Sequence, residues 1–259
     1  FITYPWEWCF SQLKDAAIAT LNIQLCALKF GMTLKDANCY NIQFKNNRPL
    51  LIDTTSFEIY KENEPWTAYK QFCENFLSIL ALMAYTDIRL NKLLVTNING
   101  VPLDLVAKLL PKRAFFNLDL FFHIKLHSKL QDKYGDNSHK KVNIKISKQS
   151  QINLIQNLLN CVKKLKLKNF QTEWNDYYDF TNYEKESFEH KKEIVKTYKE
   201  KVNPNSIWDF GANTGFFTRL FSSCKGEVLA LDIDSLAVEN NYLKVKKGNE
   251  TNIRPDRKS

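Results

Sequence analysis

The chain has 259 residues, 44% hydrophobic and 13% aromatic, which is enough apolar material for one large or two ordinary cores. Its 37 Lys and Arg against 28 Asp and Glu leave a formal charge of +9, which by electrostatics alone suits an acidic partner such as RNA or a membrane surface. No apolar run reaches membrane-spanning length and the N-terminus has no signal-peptide pattern, so a cytoplasmic protein without a membrane segment is expected.

The basic charge is spread over abundant Lys and Asn. Its densest run, Lys140 to Lys168, alternates with apolar residues in the manner of a solvated helix face, and nucleic-acid binding through that run stays open as an alternative. Six cysteines, at positions 9, 26, 39, 73, 161 and 224, show no C-x-x-C spacing and stand mostly among apolar residues. They read as buried free thiols in a reducing compartment, and neither zinc nor a disulfide framework is indicated.

In chain order, YPWEW (Tyr4 to Trp8) is an aromatic cluster ahead of a helix predicted from Ser11 to about Phe30. Leu13, Ala17, Leu21, Leu25 and Leu28 share one face, Ser11 is the expected N-cap, and Gly31 ends the helix. Ile42 to Phe44 and Pro49 to Ile52 read as strands joined by an Asn46-Asn47 turn. Asp36 and Asn41 stand in D-x-x-x-x-N spacing ahead of that hairpin, and Asp53 follows it.

This pattern resembles the catalytic loop and metal-binding aspartate of protein-kinase-like and aminoglycoside-phosphotransferase-like folds. The resemblance implies Asp36 as a base, and Asn41 and Asp53 as magnesium-holding groups. The chain departs from the pattern at Lys35, where kinases often have Arg or Gly, and at Thr54-Thr55, which replace Phe-Gly. No glycine-rich loop or ATP-pairing lysine precedes it. The alternative is a hairpin whose polar residues satisfy loop backbone.

Pro65 and Trp66 open a second predicted helix to about Leu82, with Trp66, Tyr69, Phe72, Phe76 and Ile79 as a core stripe. Further helices are expected near Asp87 to Leu94, Leu103 to Leu110 and Leu118 to Lys133. His123 and His127, four apart on the last of these, are read as packing residues rather than a zinc pair. A helix from about Gln151 to Leu167 follows a polar linker, and Thr181-x-x-Glu184 is a capping-box pattern for another to about Val202. Trp174, Tyr177, Tyr178 and Tyr183 either close over a ligand or pin that helix.

The stretch Ser206 to Asp234 then has the order strand, glycine turn, helix, strand, acidic residue. Gly211 and Gly215 remove side chains where backbone must approach a ligand, and the following helix is expected to offer free N–H groups and a positive dipole end. Asp232, 21 residues after Gly211, stands where an acidic residue meets a ribose diol. Asp209 occupies a position where a dinucleotide fold wants glycine. A carboxylate there repels phosphate and suits a cationic ligand such as S-adenosylmethionine.

DFGANTGFFTRL followed by ALDIDSLAVENNY resembles the cofactor-binding segment of class I S-adenosylmethionine-dependent methyltransferases. Together with YPWEWCFSQLKDAA, PWTAYKQFCENFL and EWNDYYDFTNY it resembles their nodulation-protein-like group across nearly the whole chain. The resemblance implies a loop of Asp209, Gly211, Ala212, Asn213 and Gly215 cradling the methionine part, with Asp232 on the ribose hydroxyls and Asp234 beside it.

The fold class expected on this basis is α+β followed by α/β. A mostly helical region like a kinase C-lobe covers 1–135, a linker 136–150, and the start of a Rossmann-like methyltransferase domain 151–259. The methyl acceptor is not legible. The chain begins Phe-Ile-Thr-Tyr, and a polar tail, KKGNETNIRPDRKS, follows the last expected helix. A doubly wound sheet needs more than two strands to bury both faces, so a fragment of a longer protein is expected. The rival class is a binding or scaffold module with an inert glycine loop.

Overall fold

The computed structural model of the chain describes residues 1–126, 145–167 and 185–258. It divides into two units, one of Phe1–Trp6, Gln12–Gln43 and Pro49–Lys168, the other of Glu7–Ser11, Phe44–Arg48 and Asn169–Ser259. This differs from the expected partition, because the Lys148–Lys164 helix, which begins inside the expected linker with Ser147 as its N-cap, belongs to the first unit. Burial of Ile155, Leu158, Leu159 and Val162 accounts for that.

In the first unit, the helix Phe10–Lys29 buries Leu13, Ala17, Leu21 and Leu28 and ends at Gly31, where φ is +71°. Strand β1 (Met32–Leu34) follows and pairs antiparallel with β4 (Phe57–Ile59). Buried Gln24 ties the helix to β1 by donating to Thr33 Oγ1 at 2.9 Å and accepting from Leu34 N at 2.7 Å. Between them in sequence β2 (Ile42–Lys45) and β3 (Arg48–Leu51) form the expected hairpin, whose tip, Phe44–Arg48, is counted in the second unit and has Asn46 and Asn47 at φ +51° and +58°, as its tight turn requires.

The aromatic stripe after Trp66 is buried at Trp66, Phe72, Phe76 and Ile79. Its helix runs as Tyr69–Phe72, a π-helical Cys73–Leu77 and Ser78–Tyr85. Of the expected Leu118 to Lys133 helix, the described part is a short turn, Leu118–Leu120, and a π-helical Phe121–Leu126.

The second unit carries β5 (Ile207–Phe210), β6 (Val228–Asp232) and β7 (Ile253–Arg257), all parallel, in the order β5-β6-β7. The apolar run of β6 is central and buried, as parallel strands covered on both faces are. Val228, Ala230 and Ile253 form one core with Ala212 and Val245, the last from the Ser235–Gly248 helix. On β5, Trp208 and Phe210 are 58% and 71% exposed, and its outer edge is unpaired among the described residues.

Two expectations are corrected here. Ser11 does not cap its own helix. It lies inside the first turn, and its N–H and hydroxyl donate to the Glu239 carboxylate at 2.8 and 2.5 Å. The expected polar tail closes the Ser235–Gly248 helix at Asn249, φ +50°, and then forms β7, buried throughout. Two of its charges are paired: Arg254 with Glu227 at 2.7 Å, and Lys258 with Glu7. Asn252 O accepts from Val228 N and Lys258 N donates to Asp232 O, so even-numbered residues face β6. Pro255, which has no N–H, therefore faces the outer edge.

Asp256 on β7 is fully buried. Its Oδ1 accepts from Arg257 N at 2.9 Å, and its Oδ2, 3.7 Å from Lys258 Nζ, has no hydrogen-bond partner among the described residues. Burial raises its carboxyl to about 7, with Lys258 opposing and Glu7 reinforcing the shift. The unfolded group ionises near 4, so the folded chain holds the extra proton between about pH 4 and 7. Stability from this group is therefore lost as pH rises through that window. Asp256→Asn is expected to stabilise the protein at pH 8 by a few kcal/mol, to the order of magnitude, and by much less at pH 4.5. Urea unfolding at the two pH values measures this, and a variant weakened at pH 8 contradicts it.

Candidate functional site

The site grows from the end of β5. Gly211 (φ +73°) turns the chain, and its N–H and that of Ala212 donate to Leu231 O at 2.9 and 3.1 Å. Asn213 takes a left-handed conformation (φ +50°), which Asn tolerates, and its N–H donates to Asp232 Oδ2 at 2.7 Å. Thr214 N donates to Asn213 Oδ1 at 2.6 Å, and Gly215 N to Ala212 O at 2.8 Å. Every backbone N–H from Gly211 to Gly215 is thus used within the fold.

The helix expected next is a four-residue 3-10 turn, Thr218–Phe221. It is too short to build a macrodipole or present a row of free N–H groups, so the expected helix with its positive dipole end is not formed there.

A cleft of about 560 Å³ opens beside this loop, lined by Asp209, Gly211, Ala212, Asn213, Asp232 and Ile233, with Lys191 and Phe217 among the others. Asp209 and Asp232 come together because the parallel register sets Asp209 beside Ala230, two residues from the end of β6. Asp209 Oδ2 accepts from Thr218 Oγ1 at 2.5 Å. Burial raises the Asp209 carboxyl above its ordinary value, Thr218 opposes this, and the Asp232 charge adds to it. Asp232 is anchored through Oδ2 to Asn213 N and through Oδ1 to Asp234 N at 2.8 Å. A carboxylate has lone pairs beyond those two.

Gly215 and Asp234 do not line the cleft. Asp234 is the N-cap of the Ser235–Gly248 helix, accepting from Leu236 N and Ala237 N, both at 2.8 Å. A Cβ on Gly215 would lie 2.5 Å from Arg219 Nη1 and from Asn241 Oδ1, whereas one on Gly211 meets nothing within 4 Å. Sequence reasoning missed Thr218, Lys191, Ile233 and Arg219. Ile233 was findable from its place beside Asp232. Lys191 reaches the cleft from the Lys185–Val202 helix, and no local pattern marks it.

In the first unit, Asn41 and Asp53 are brought together by Ser56, which accepts from Asn41 Nδ2 at 3.0 Å and donates to Asp53 Oδ2 at 2.9 Å. Asp53 Oδ1 accepts from Thr55 N at 2.8 Å and Thr55 Oγ1 at 2.6 Å. Thr55 and then Ser56 hold its carboxyl below the ordinary value. Asp36 instead closes its own turn, accepting from Asn38 N at 3.0 Å. Among the described residues no group of three or more His, Cys, Asp or Glu is placed to hold a metal.

Buried His123 hydrogen-bonds Tyr69 Oη through Nδ1 at 2.8 Å and Asn157 Oδ1 through Nε2 at 2.6 Å. Asn157 Nδ2 donates to Asp119 at 3.0 Å, which fixes the amide so that Nε2 of the histidine carries the proton. His127, Trp174, Tyr177, Tyr178, Tyr183 and the Thr181-x-x-Glu184 box lie outside the described residues.

The chain is 35% identical over 224 residues to the nodulation protein NoeA of Rhizobium meliloti (strain 1021), a match taking in 84% of this chain and 47% of NoeA. It therefore spans about half the length of that relative. No family model matches the sequence, and no solved structure matches it. No described helix is long and apolar enough to cross a membrane.

The two glycines are expected to answer substitution differently. Gly211→Ala carries only the left-handed backbone cost of about 1–2 kcal/mol. Gly215→Ala adds overpacking of about 1–3 kcal/mol against Arg219 and Asn241. Chemical denaturation of both variants measures the difference, and equal losses contradict the contact.

Proposed function

We propose that the protein is an S-adenosylmethionine-dependent methyltransferase, the cleft beside the Gly211–Gly215 loop being its cofactor site. The observation that carries this reading is the combination of two carboxylates with a loop that has no backbone N–H to spare. A pyrophosphate needs free N–H groups and would face Asp209 and Asp232. A ligand with a cationic group, a diol and no phosphate instead relieves their mutual repulsion. The similarity to a nodulation protein agrees with the group that the sequence resembles.

S-adenosylmethionine supplies an electrophilic sulfonium methyl, whose transfer to an acceptor lone pair leaves a neutral thioether. The protein's part is therefore orientation and exclusion of water. In this reading Asp209 faces the cationic end and Asp232 accepts from the ribose hydroxyls. Gly211, with open space where a Cβ would stand, lets the ligand approach the backbone. Ile233 gives the base an apolar surface. The acceptor is unassigned.

For the first unit we favour a retained scaffold with the topology of a kinase C-lobe over an active phosphotransferase. Asp36 is engaged by its own turn, and both Asp53 oxygens are engaged by Thr55 and Ser56. Calorimetry with ATP and magnesium is expected to show no binding that Asp53→Ala abolishes, and magnesium-dependent binding lost in that variant restores the phosphotransferase reading.

The methyltransferase reading is tested by titrating the protein with S-adenosylmethionine. Binding at micromolar to submillimolar cofactor is expected, and its absence at millimolar cofactor refutes the reading. Asp232→Ala is expected to weaken binding by about tenfold or more, since charge-assisted hydrogen bonds contribute roughly 1.5–3 kcal/mol each. Asp234→Ala is expected instead to cost about 0.5–2 kcal/mol of folding stability with little change in affinity. Equal affinity losses would show that the ribose-binding acid is misassigned.

A further inference from the structure

We infer that Arg219, which does not line the cleft, is the positioning residue that sets the shape of the cofactor loop. The inference rests on the reading of that loop as the site for the methionine part of S-adenosylmethionine. The N–H groups of Gly211, Ala212 and Asn213 are held from β6, by Leu231 O and Asp232. Its far end is held by Arg219, whose Nη1 donates to Thr214 O and Gly215 O, each at 2.9 Å, and to Asn241 Oδ1 at 3.0 Å.

The guanidinium is itself fixed. Nε and Nη2 form a two-point pair with the Glu250 carboxylate at 3.0 and 2.9 Å, the planar geometry that Arg supports and Lys does not. Glu250 is held at both backbone ends, its N–H donating to Val245 O at 3.0 Å and its O accepting from Asn47 Nδ2 at 2.9 Å. Asn47 Nδ2 also donates to Ile253 O at 2.7 Å.

The absent side chain of Gly215 is what admits the guanidinium, because a Cβ would meet Nη1 at 2.5 Å. The second glycine of the motif therefore serves Arg219 rather than the ligand. A chain of contacts from the β2–β3 turn through Glu250 and Arg219 fixes the carbonyl side of the loop, and the Asn213 N–H to Asp232 contact orients the acid from the other side. Thr214 and Gly215 do not line the cleft, but Gly215 N donates to the O of Ala212, which does, so moving Arg219 is expected to misplace the loop where it meets the amino-acid end of the ligand. The Asp232 anchors, Asn213 N and Asp234 N, stay in place.

The test compares affinities for S-adenosylmethionine and for 5′-methylthioadenosine, which lacks the amino-acid end, in the unmodified protein and in Arg219→Ala, Arg219→Lys and Glu250→Gln. Arg254→Ala, which breaks the Glu227 ion pair in the same sheet without touching the loop, controls for lost stability. Arg219→Ala is expected to lose about tenfold or more for S-adenosylmethionine and less than about threefold for methylthioadenosine. Arg219→Lys and Glu250→Gln should fall between it and the unmodified protein, and they report on the proposal if Arg219→Ala fails to fold.

A parallel loss for both ligands that tracks melting temperature as in Arg254→Ala overturns the positioning role. Unchanged affinity for both ligands overturns it too. Failure of the unmodified protein to bind either ligand overturns the cofactor reading itself, and the inference with it.

Discussion

Two like charges at one end of a parallel sheet constrain the whole second unit. The strand register brings Asp209 and Asp232 to a shared cleft, and burying carboxylates without partners is costly. Each has an anchor: Thr218 donates to Asp209, while Asn213 N and Asp234 N donate to Asp232. Those anchors in turn dictate the loop. Asn213 must be left-handed to deliver its N–H, Gly211 must turn sharply to leave β5, and Asp234 is placed to cap the next helix. The anchors are neutral donors, which occupy lone pairs without cancelling either charge.

A three-stranded sheet is too small to bury itself, and the second unit draws on distant sequence to do so. Glu7–Ser11 and Phe44–Arg48 belong to it. Buried Glu239 accepts twice from Ser11, Lys258 pairs with Glu7, and Phe44 stacks edge-on against Tyr242 with ring centroids 6.4 Å apart. Polar groups carry much of this union, so residues that look soluble in the sequence, such as Arg254, Asp256 and Arg257, are buried.

The first unit uses polar groups to the same end. Gln24 closes the edge of β1, Trp66 Nε1 donates to Leu34 O at 2.8 Å, and Lys35 N donates to Ser56 O at 2.8 Å. The last of these sets the Asp36 turn next to the segment that holds Asn41 and Asp53. Their hydrogen bonds close on one another across the base of the hairpin, which is how loop polar groups are satisfied when the chain bends around it.

What the sequence by itself determined is what local rules govern. The 3.6-residue apolar period marks the Phe10–Lys29 helix, and the Asn-Asn pair marks the hairpin. The D-x-G-x-x-x-G spacing marks a turn between two parallel strands, with an acid at the end of the second. Each depends on neighbours a few residues away. Tertiary structure alone decided the rest: that Ser11 answers to Glu239, that a polar tail becomes a buried strand, that Asp234 caps while Asp232 faces the cleft, and that Gly215 makes room for Arg219. These outcomes rest on partners up to 251 residues distant. Hydrogen bonding and charge pairing leave no periodic trace in sequence, because a donor is satisfied by any acceptor that the fold brings within about 3 Å.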